Sequence, residues 1–274
     1  MDWREYYLRE VAPRLDLPLA EKYPLVSLAG RQGFRPLGEH DLLMLVALTG
    51  TGKSTTLEIL RARGGVFATD VIPSRRELAD WIAIPVAQAL AGEPFEPIRD
   101  RSRRFAFTRR FAEQAPGGMA AAFSWLYVAD DFDGLLLSEG IRGENEIRFA
   151  LENFARWRIV ELTLDPLTRL RRLSGRRDDF DRAFGSADVS FLPRQFREQA
   201  NALLKAGEIT AEALAIVKAE AANYGFDPFA DGCAYPNYDR IAVEDRSPDD
   251  VAEAVIRIMD GRTERGREKA KCLR

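Results

Sequence analysis

The stretch "VALTGTGKSTTLEIL", residues 46–60, decides the fold of this chain. Residues 47–54 read A-x-x-x-x-G-K-S, which departs from the phosphate-loop pattern G-x-x-x-x-G-K-[ST] at its first position. Small residues at Gly50 and Gly52 would let the backbone amides turn inward onto phosphate oxygens. Ala47 replaces the first glycine, and an alanine fits there if its φ angle is negative. The stretch therefore predicts a loop that holds the phosphates of a nucleotide.

The flanks of this loop have the pattern that such a loop requires. The preceding run "DLLMLVA", 41–47, is continuously apolar and typical of a buried parallel strand, and "KSTTLEILRAR" predicts a helix that ends at Gly64. Lys53 can reach the outer phosphates, and the Ser54 hydroxyl can bind Mg²⁺. The residues predicted to bind ATP in this loop are Thr49, Gly50, Thr51, Gly52, Lys53, Ser54 and Thr55.

Further strand-like runs alternate with helical stretches along the chain. The predicted strands are 41–47, 66–70, 134–140, 158–166 and 238–245. This alternation predicts an α/β fold with a doubly wound, five-stranded parallel sheet. Residues 74–128 are predicted to be mostly helical, with breaks at Pro85, Pro94, Pro97 and Pro116, and a closing helix is predicted to begin at Ser247 and Pro248.

The domain organisation predicted from these patterns is one kinase-like core with insertions. Its parts are an N-terminal helix and loop (1–40), a core (41–260) and a charged tail (261–274), with a helical acceptor-side insert at about 74–130, a lid at about 169–182 and a second helical insert at about 185–235. We find no internal repeat.

Composition narrows the class of protein. The chain has 274 residues, 46% hydrophobic and 30% charged, which is typical of a globular protein with a full core. It has no apolar run of 18 residues, so no membrane span is predicted. With two cysteines and one histidine, a disulfide framework and a multi-histidine metal site are excluded, and a cytoplasmic location is the simplest interpretation. The net charge of -3 makes nucleic acid a less favoured partner than a small molecule.

Acidic residues follow two of the predicted strands. Asp70 closes the second strand, at the edge of the sheet where ligands bind in such folds, and can accept the proton of an acceptor hydroxyl. A helix cap is the structural alternative for Asp70. Glu139 ends the third strand and is predicted to hold Mg²⁺ through water, with a solvated loop acid as the alternative.

Arginines are placed where a transferring phosphate would need them. Arg142 follows Glu139 in "EGIRG", and a guanidinium grips phosphate with two hydrogen bonds. The stretch "RLRRLSGRRDDFD", 169–181, predicts a lid that closes over the γ-phosphate and excludes water. Arg169 is predicted to contact the nucleotide, and Arg172 and Arg176 are predicted to neutralise charge during transfer.

Taken together, these stretches resemble the nucleoside monophosphate kinase (adenylate kinase-like) group of P-loop kinases. "GTGKST", the acid and arginines after the second strand, "LLLSEGIRG" and "SGRRDDFD" occur in the same order. The resemblance implies transfer of the γ-phosphate of ATP, with Mg²⁺, to a small acceptor such as a nucleotide or nucleoside. The long segment between Asp70 and Glu139, the second insert and the N-terminal extension depart from that group and leave the acceptor open.

Two other functions share the same core. One is a polynucleotide or RNA 5′-kinase, which the arginines between Arg99 and Arg110 favour and the net negative charge disfavours. The other is a regulatory P-loop NTPase, in which an arginine lid would have no use. The sequence does not predict an oligomeric state.

Overall fold

The structure is a computed structural model, and it describes residues 2–63, 67–175, 188–225 and 235–272. The side chains of residues 101, 102 and 262–272 lie outside this description. By its internal contacts the chain forms two compact units. The first unit is Met1–Val46, Gly65–Ile159 and Ala234–Tyr238, and the second unit is Ala47–Gly64, Val160–Cys233 and Asp239–Arg274.

Eight strands form two sheets in the described part of the chain. The strands are β1 (Val26–Ser27), β2 (Phe34–Pro36), β3 (Leu42–Ala47), β4 (Phe67–Ala68), β5 (Tyr127–Ala129), β6 (Leu135–Ser138), β7 (Trp157–Thr163) and β8 (Tyr238–Ala242). The larger sheet has five strands in the order β4-β6-β3-β7-β8. Later strands lie on both sides of β3, the first of the five in the chain, so the sheet is doubly wound. The predicted α/β class with a five-stranded parallel sheet is confirmed.

The middle of this sheet is buried for the reason its sequence suggests. All six residues of β3 are at most 3% exposed, and β3 pairs with β6 in parallel from Leu42↔Leu136 to Met44↔Ser138. A strand that is covered on both faces has no polar side, which explains its unbroken apolar run. β4 is shorter than the predicted 66–70 and pairs with β6 through Phe67 and Ala68 alone.

Helices account for most of the remaining described residues. They are α1 (Trp3–Tyr6), α2 (Leu19–Lys22), α3 (Lys53–Ala62), α4 (Arg75–Leu78), α5 (Ile84–Ala91), α6 (Arg101–Gln114), α7 (Gly118–Ser124), α8 (Gly143–Asn153), α9 (Pro166–Ser174), α10 (Arg194–Lys205), α11 (Ala211–Tyr224) and α12 (Pro248–Cys272). α12 begins where it was predicted, and the Ser247 hydroxyl accepts the amide of Asp250 at 3.1 Å.

The predicted break at Pro85 is wrong. The chain stays helical from α4 through a π-helical turn, Ala79–Ala83, into α5. Proline at 85 has no N–H for the carbonyl of Trp81, four residues back. The hydroxyl of Tyr7, a fully buried residue, donates to that carbonyl at 2.9 Å instead. A donor from the N-terminal segment thus satisfies the carbonyl that Pro85 leaves open.

A small antiparallel sheet was missed, because the sequence predicts a loop over residues 16–40 and mostly helix over 74–128. β5 lies between β1 and β2, with Val26 opposite Val128 and Pro36 opposite Tyr127. Strands of two or three residues are too short to display a period of two, so the alternation that predicts strands cannot be read in them.

Candidate functional site

The phosphate loop leaves β3 at Ala47 and enters α3 at Lys53. Gly50 and Gly52 have φ angles of 92° and 94°, a region that side chains avoid. Asp70 is the one described non-glycine residue with positive φ, so Ala47 has the negative φ that an alanine needs there. Glycine therefore stands at both loop positions where the backbone requires it.

The start of α3 is suited to an anion. Its N-cap is Gly52, which has no side chain to accept the first amides of the helix. Backbone N–H groups and the helix dipole at such an end attract phosphate. Lys53 is the first helical residue and is 8% exposed, whereas Ser54 and Thr55 are exposed. The Thr51 hydroxyl donates to the carbonyl of Leu48 at 2.8 Å and closes the loop internally.

Two charged residues from the second unit hold this loop. Arg169 of α9 and Glu220 of α11 form a buried ion pair, with side chains 5% and 7% exposed. Arg169 Nε donates to the carbonyl oxygen of Thr49 at 2.7 Å. The Thr49 amide donates to both carboxylate oxygens of Glu220 at 3.3 Å, and the Thr49 hydroxyl donates to the same carboxylate. Arg169 binds the loop itself, and its predicted contact with the nucleotide stays a prediction.

A cleft of about 680 Å³ opens beside the loop, within the second unit. It is lined by the loop residues Leu48 and Thr51, by the ends of β7 and β8 and by the starts of α9 and α10. Arg240 and Glu161 form an ion pair at 3.2 Å in its wall. Asp165 accepts the first amides of α9, and its own amide donates to Glu244 at 2.6 Å. The cleft lies at the carboxyl ends of parallel strands, where ligands of open α/β sheets bind.

The predicted lid is described in part. α9 includes its first residues, up to Ser174, whereas Arg176, Arg177 and the aspartates of "RRDDFD" lie outside the described residues. Arg172 is exposed, and its guanidinium donates to the carbonyl of Val243 at 3.4 Å. The role of this segment as a lid stays a prediction.

Asp70 lies in the first unit, two residues after β4, in an unusual conformation. Its φ angle is +60°, a left-handed conformation that costs energy in any residue with a side chain. Such strain concentrates at functional sites. The negative charge of Asp70 also affects Tyr23. Burial, a hydrogen bond to Glu77 and the negative charges of Glu77 and Asp70 all raise the pKa of Tyr23.

The stretch after β6 is organised by Glu146. This residue is 8% exposed, and its carboxylate accepts the amide of Arg142 at 2.7 Å, the amide of Met119 at 3.2 Å and both terminal nitrogens of Arg75. Arg75 also donates to the carbonyl of Gly140 at 2.8 Å. Its guanidinium, which belongs to one of the arginines after the second predicted strand, is therefore engaged in holding this stretch.

Arg142 differs from Arg75 in this respect. Its Nε is buried and has no hydrogen-bond partner among the described residues. Glu139 directly follows β6 and is half-buried. Asp70, Glu139 and Arg142 belong to the first unit, and the loop, Arg169 and Arg172 belong to the second unit.

Two residues of this region escaped the sequence predictions. Glu220 lies four residues after Ile216 and three after Val217, both buried. A charged residue on the apolar face of a helix signals a buried partner, and that signal was present in the sequence. Glu146 gave a weaker signal, since an acid in the first turn of a helix is common.

Neither a protein-made metal cluster nor a membrane span is found in the part of the chain that the structure describes. No group of three or more His, Cys, Asp or Glu could hold a metal there. None of its helices is both long and apolar enough to cross a bilayer.

No protein-family profile matches this chain, and no curated protein does. Solved structures that align with it include a sugar kinase from Janibacter sp., with 14% identity, a TM-score of 0.37 and coverage of 81% of this chain and 95% of the sugar kinase. A gluconokinase from Sinorhizobium meliloti has 12% identity, a TM-score of 0.36 and coverage of 80% and 90%. An uncharacterised protein from Eubacterium ventriosum has 14% identity, a TM-score of 0.35 and coverage of 81% and 99%. Similarity at these TM-scores leaves the activity of this chain open.

Proposed function

We propose that this chain is an ATP-dependent phosphotransferase that moves the γ-phosphate to a small acceptor such as a nucleotide or nucleoside. The observation that carries the proposal is the phosphate loop. Two glycines with positive φ bracket Thr51, and Lys53 begins a helix whose N-cap has no side chain. Backbone amides and a lysine arranged in this way bind the β- and γ-phosphates of a nucleotide.

The cleft beside the loop offers room for the part of the donor nucleotide beyond its phosphates. Apolar Leu48 and Phe196 and polar Gln195 and Arg240 line it, a mixture that suits a flat base with polar edges. Its volume of about 680 Å³ is within the range of small-molecule sites. The donor would then lie within the second unit, with its phosphates on the loop.

The residues present also fit Mg²⁺. This ion keeps several waters and is usually held by one or two protein oxygens together with substrate phosphates. The exposed hydroxyl of Ser54, in the first turn of α3, can supply one such oxygen. From its position in the sequence alone, Glu139 stays the carboxylate proposed to act through water. When bound, Mg²⁺ would neutralise charge on the phosphates.

On the acceptor side, Asp70 is proposed to accept the proton of the attacking hydroxyl or to orient it. The positive φ at its backbone supports this role, because residues in such conformations cluster at active sites and ligand clamps. Arg142 is proposed to grip a phosphate, and the unpartnered buried Nε supports that proposal. Arg172 and Arg176 are proposed to shield the transferring group from water.

The polynucleotide alternative is weakened, because three of the arginines that favoured it have partners within the fold. Arg104 pairs with Asp80, Arg103 pairs with Glu93 at 3.2 Å, and Arg110 donates to the carbonyl of Leu90 at 3.1 Å. Arginines engaged within the fold form a poorer track for a phosphate backbone than free ones.

Incubation with γ-labelled ATP and Mg²⁺ tests the proposal. A panel of nucleosides, nucleoside monophosphates, sugars and oligonucleotides would serve as acceptors, with ADP release measured alongside. We expect label on a small molecule. Label in free phosphate alone would instead indicate a regulatory NTPase, and label on oligonucleotide ends would indicate a polynucleotide kinase.

A further inference from the structure

A buried ion pair connects α11, a helix that follows the predicted lid, to the phosphate loop. The side chains of Arg169 and Glu220 are 5% and 7% exposed. Removing two charges from water is costly, and a pair this buried must satisfy its remaining donors and acceptors with further hydrogen bonds. Thr49 of the loop supplies them.

All the polar groups of Thr49 are engaged with this pair. The carboxylate of Glu220 accepts the Thr49 amide at 3.3 Å and also accepts the Thr49 hydroxyl. Arg169 Nε donates to the Thr49 carbonyl at 2.7 Å. The pair therefore fixes the residue that precedes Gly50, the first positive-φ position of the loop.

Close packing adds to these hydrogen bonds. A Cβ atom at Gly50 would lie 3.1 Å from Cγ of Leu173 and 3.5 Å from Cγ of Arg169, so α9 packs directly against the loop. α11 is attached to α9 through a shared hydrophobic cluster that includes Leu170, Leu214 and Val217, all fully buried. Glu220 thus stands on a helix that packing holds in place.

We infer that Glu220 is a positioning residue for nucleotide binding. It acts through Thr49 and Arg169 and holds the loop in its phosphate-binding shape before the nucleotide arrives. The inference rests on the proposed function and deepens it, because it gives the second helical insert a part in the donor site. Pre-organisation of this kind improves affinity by lowering the entropy lost on binding.

The charge balance of the pair determines how the test must be built. A lone carboxylate beside the loop would repel phosphate, and Arg169 neutralises it. Glu220→Gln alone would leave Arg169 uncompensated, where it is itself free to attract phosphate. The decisive variant is therefore Arg169→Met with Glu220→Leu, which removes both charges and keeps the volume. Replacement of a buried ion pair by apolar residues of similar size often leaves stability unchanged or raised.

A matched control exists on the same helix. Lys218 of α11, the helix that carries Glu220, pairs with Asp188 at 2.6 Å, but these side chains are 49% and 33% exposed. Lys218→Met with Asp188→Asn breaks a charged pair of that helix without touching the loop or the predicted lid. Parent, double variant and control would be compared by thermal unfolding, by amide hydrogen exchange of residues 49–53 without nucleotide, and by Kd for Mg·ATP.

For the variant without the buried pair we expect a Tm within a few degrees of the parent. Its loop amides should exchange at least tenfold faster, and its Kd for Mg·ATP should rise at least tenfold, while the control stays at parent values. Thr49→Ser, which keeps the hydroxyl, should bind like the parent, and Thr49→Val should bind several-fold more weakly.

The outcomes separate the two proposals. Loop exchange at the parent rate in the double variant overturns the positioning role, whether or not nucleotide binds. A parent that binds no nucleotide, with loop exchange still accelerated in the variant, overturns the proposed function and leaves the positioning of the loop standing. If the double variant does not fold, loop exchange and affinity in Thr49→Val decide, and parent values there overturn the inference.

Discussion

At the scale of single residues, Lys53 is the side chain on which the proposed chemistry depends most. It lies at the first position of α3 and is 8% exposed, so its amine is held beside the helix end that attracts phosphate. We expect Lys53→Ala to lower the rate of phosphate transfer at least 100-fold, in line with the loss of a positioned charge at a transferring phosphoryl group. Lys205→Ala, at an exposed site on α10, should transfer at the parent rate. Measured release of ADP with each acceptor checks both variants.

Substitutions at Asp70 can separate its effect on the stability of the fold from its proposed effect on turnover. Glycine tolerates a φ of +60°, asparagine tolerates it at least as well as aspartate, and alanine tolerates it poorly. We expect the free energy of unfolding to rise by up to about 1 kcal/mol in Asp70→Gly, to change little in Asp70→Asn and to fall by about 1 kcal/mol in Asp70→Ala. All three should lower turnover more than affinity for ATP, because the carboxylate acts on the acceptor. An Asp70→Asn enzyme with the parent turnover would contradict the acceptor-side role.

At the scale of elements, the N-terminal segment stabilises the helix that follows β4. The Tyr7 hydroxyl is the donor that Pro85 cannot provide to the Trp81 carbonyl. We expect Tyr7→Phe to lower the free energy of unfolding by about 1–2 kcal/mol, the cost of a buried carbonyl without a partner. Pro85→Ala restores an N–H at the right position, so the penalty of Tyr7→Phe should shrink in the Pro85→Ala background. Denaturant unfolding of the four proteins of this cycle measures the coupling, and additive effects of the two substitutions would refute the explanation.

The N-terminal segment makes a second contact, from Lys22 and Tyr23 to Glu77, and its contribution to stability should depend on pH. Burial raises the pKa of Glu77, but hydrogen bonds from Lys22, Ser74 and Tyr23 outweigh that effect and bring the pKa from 4.5 down to about 2. A carboxylate with a depressed pKa contributes stability that is present above pH 4.5 and is lost as the pH falls toward 2. We expect Glu77→Gln to be less stable than the parent at neutral pH and to lose less stability across that window. Parallel curves for the two proteins in urea unfolding at pH 2–7 would show that Glu77 has no such role.

These elements also show how far the sequence could be read. The buried strands β3 and β6 were predicted because a strand covered on both faces is a nearly continuous apolar run. The two-residue β4 and the strands of the small sheet have too few positions to reveal a period. The continuous helix through Pro85 depends on a hydroxyl 78 positions earlier in the chain, which no local pattern could predict.

The candidate site likewise has a part that local sequence predicts and a part that only the structure reveals. The strand exit, the two glycines and the helix start of the loop were predicted, since they are local features of eight residues. The engagement of Arg75 by Glu146 and of Arg169 by Glu220 joins residues 71 and 51 positions apart. A list of arginines cannot show which of them the fold itself uses, so free and engaged guanidinium groups could be separated only in the structure.

At the scale of the whole molecule, a ligand held by the phosphate loop must stabilise the protein against unfolding. Binding to the folded state alone raises the free energy of unfolding by about 2.7 kcal/mol when the ligand is at 100 times its Kd. For a chain of this size we expect Mg·ATP at that level to raise Tm by about 5–10 °C, since each kcal/mol raises it by about 2–4 °C. Adenosine at the same concentration should raise it far less, because it has no phosphates for the loop amides, and Lys53→Ala should remove most of the difference. Differential scanning calorimetry with the two ligands makes the comparison. Equal shifts from adenosine and ATP would mean that the cleft binds the base while the loop binds nothing, and phosphate transfer could then not begin at Gly50–Ser54.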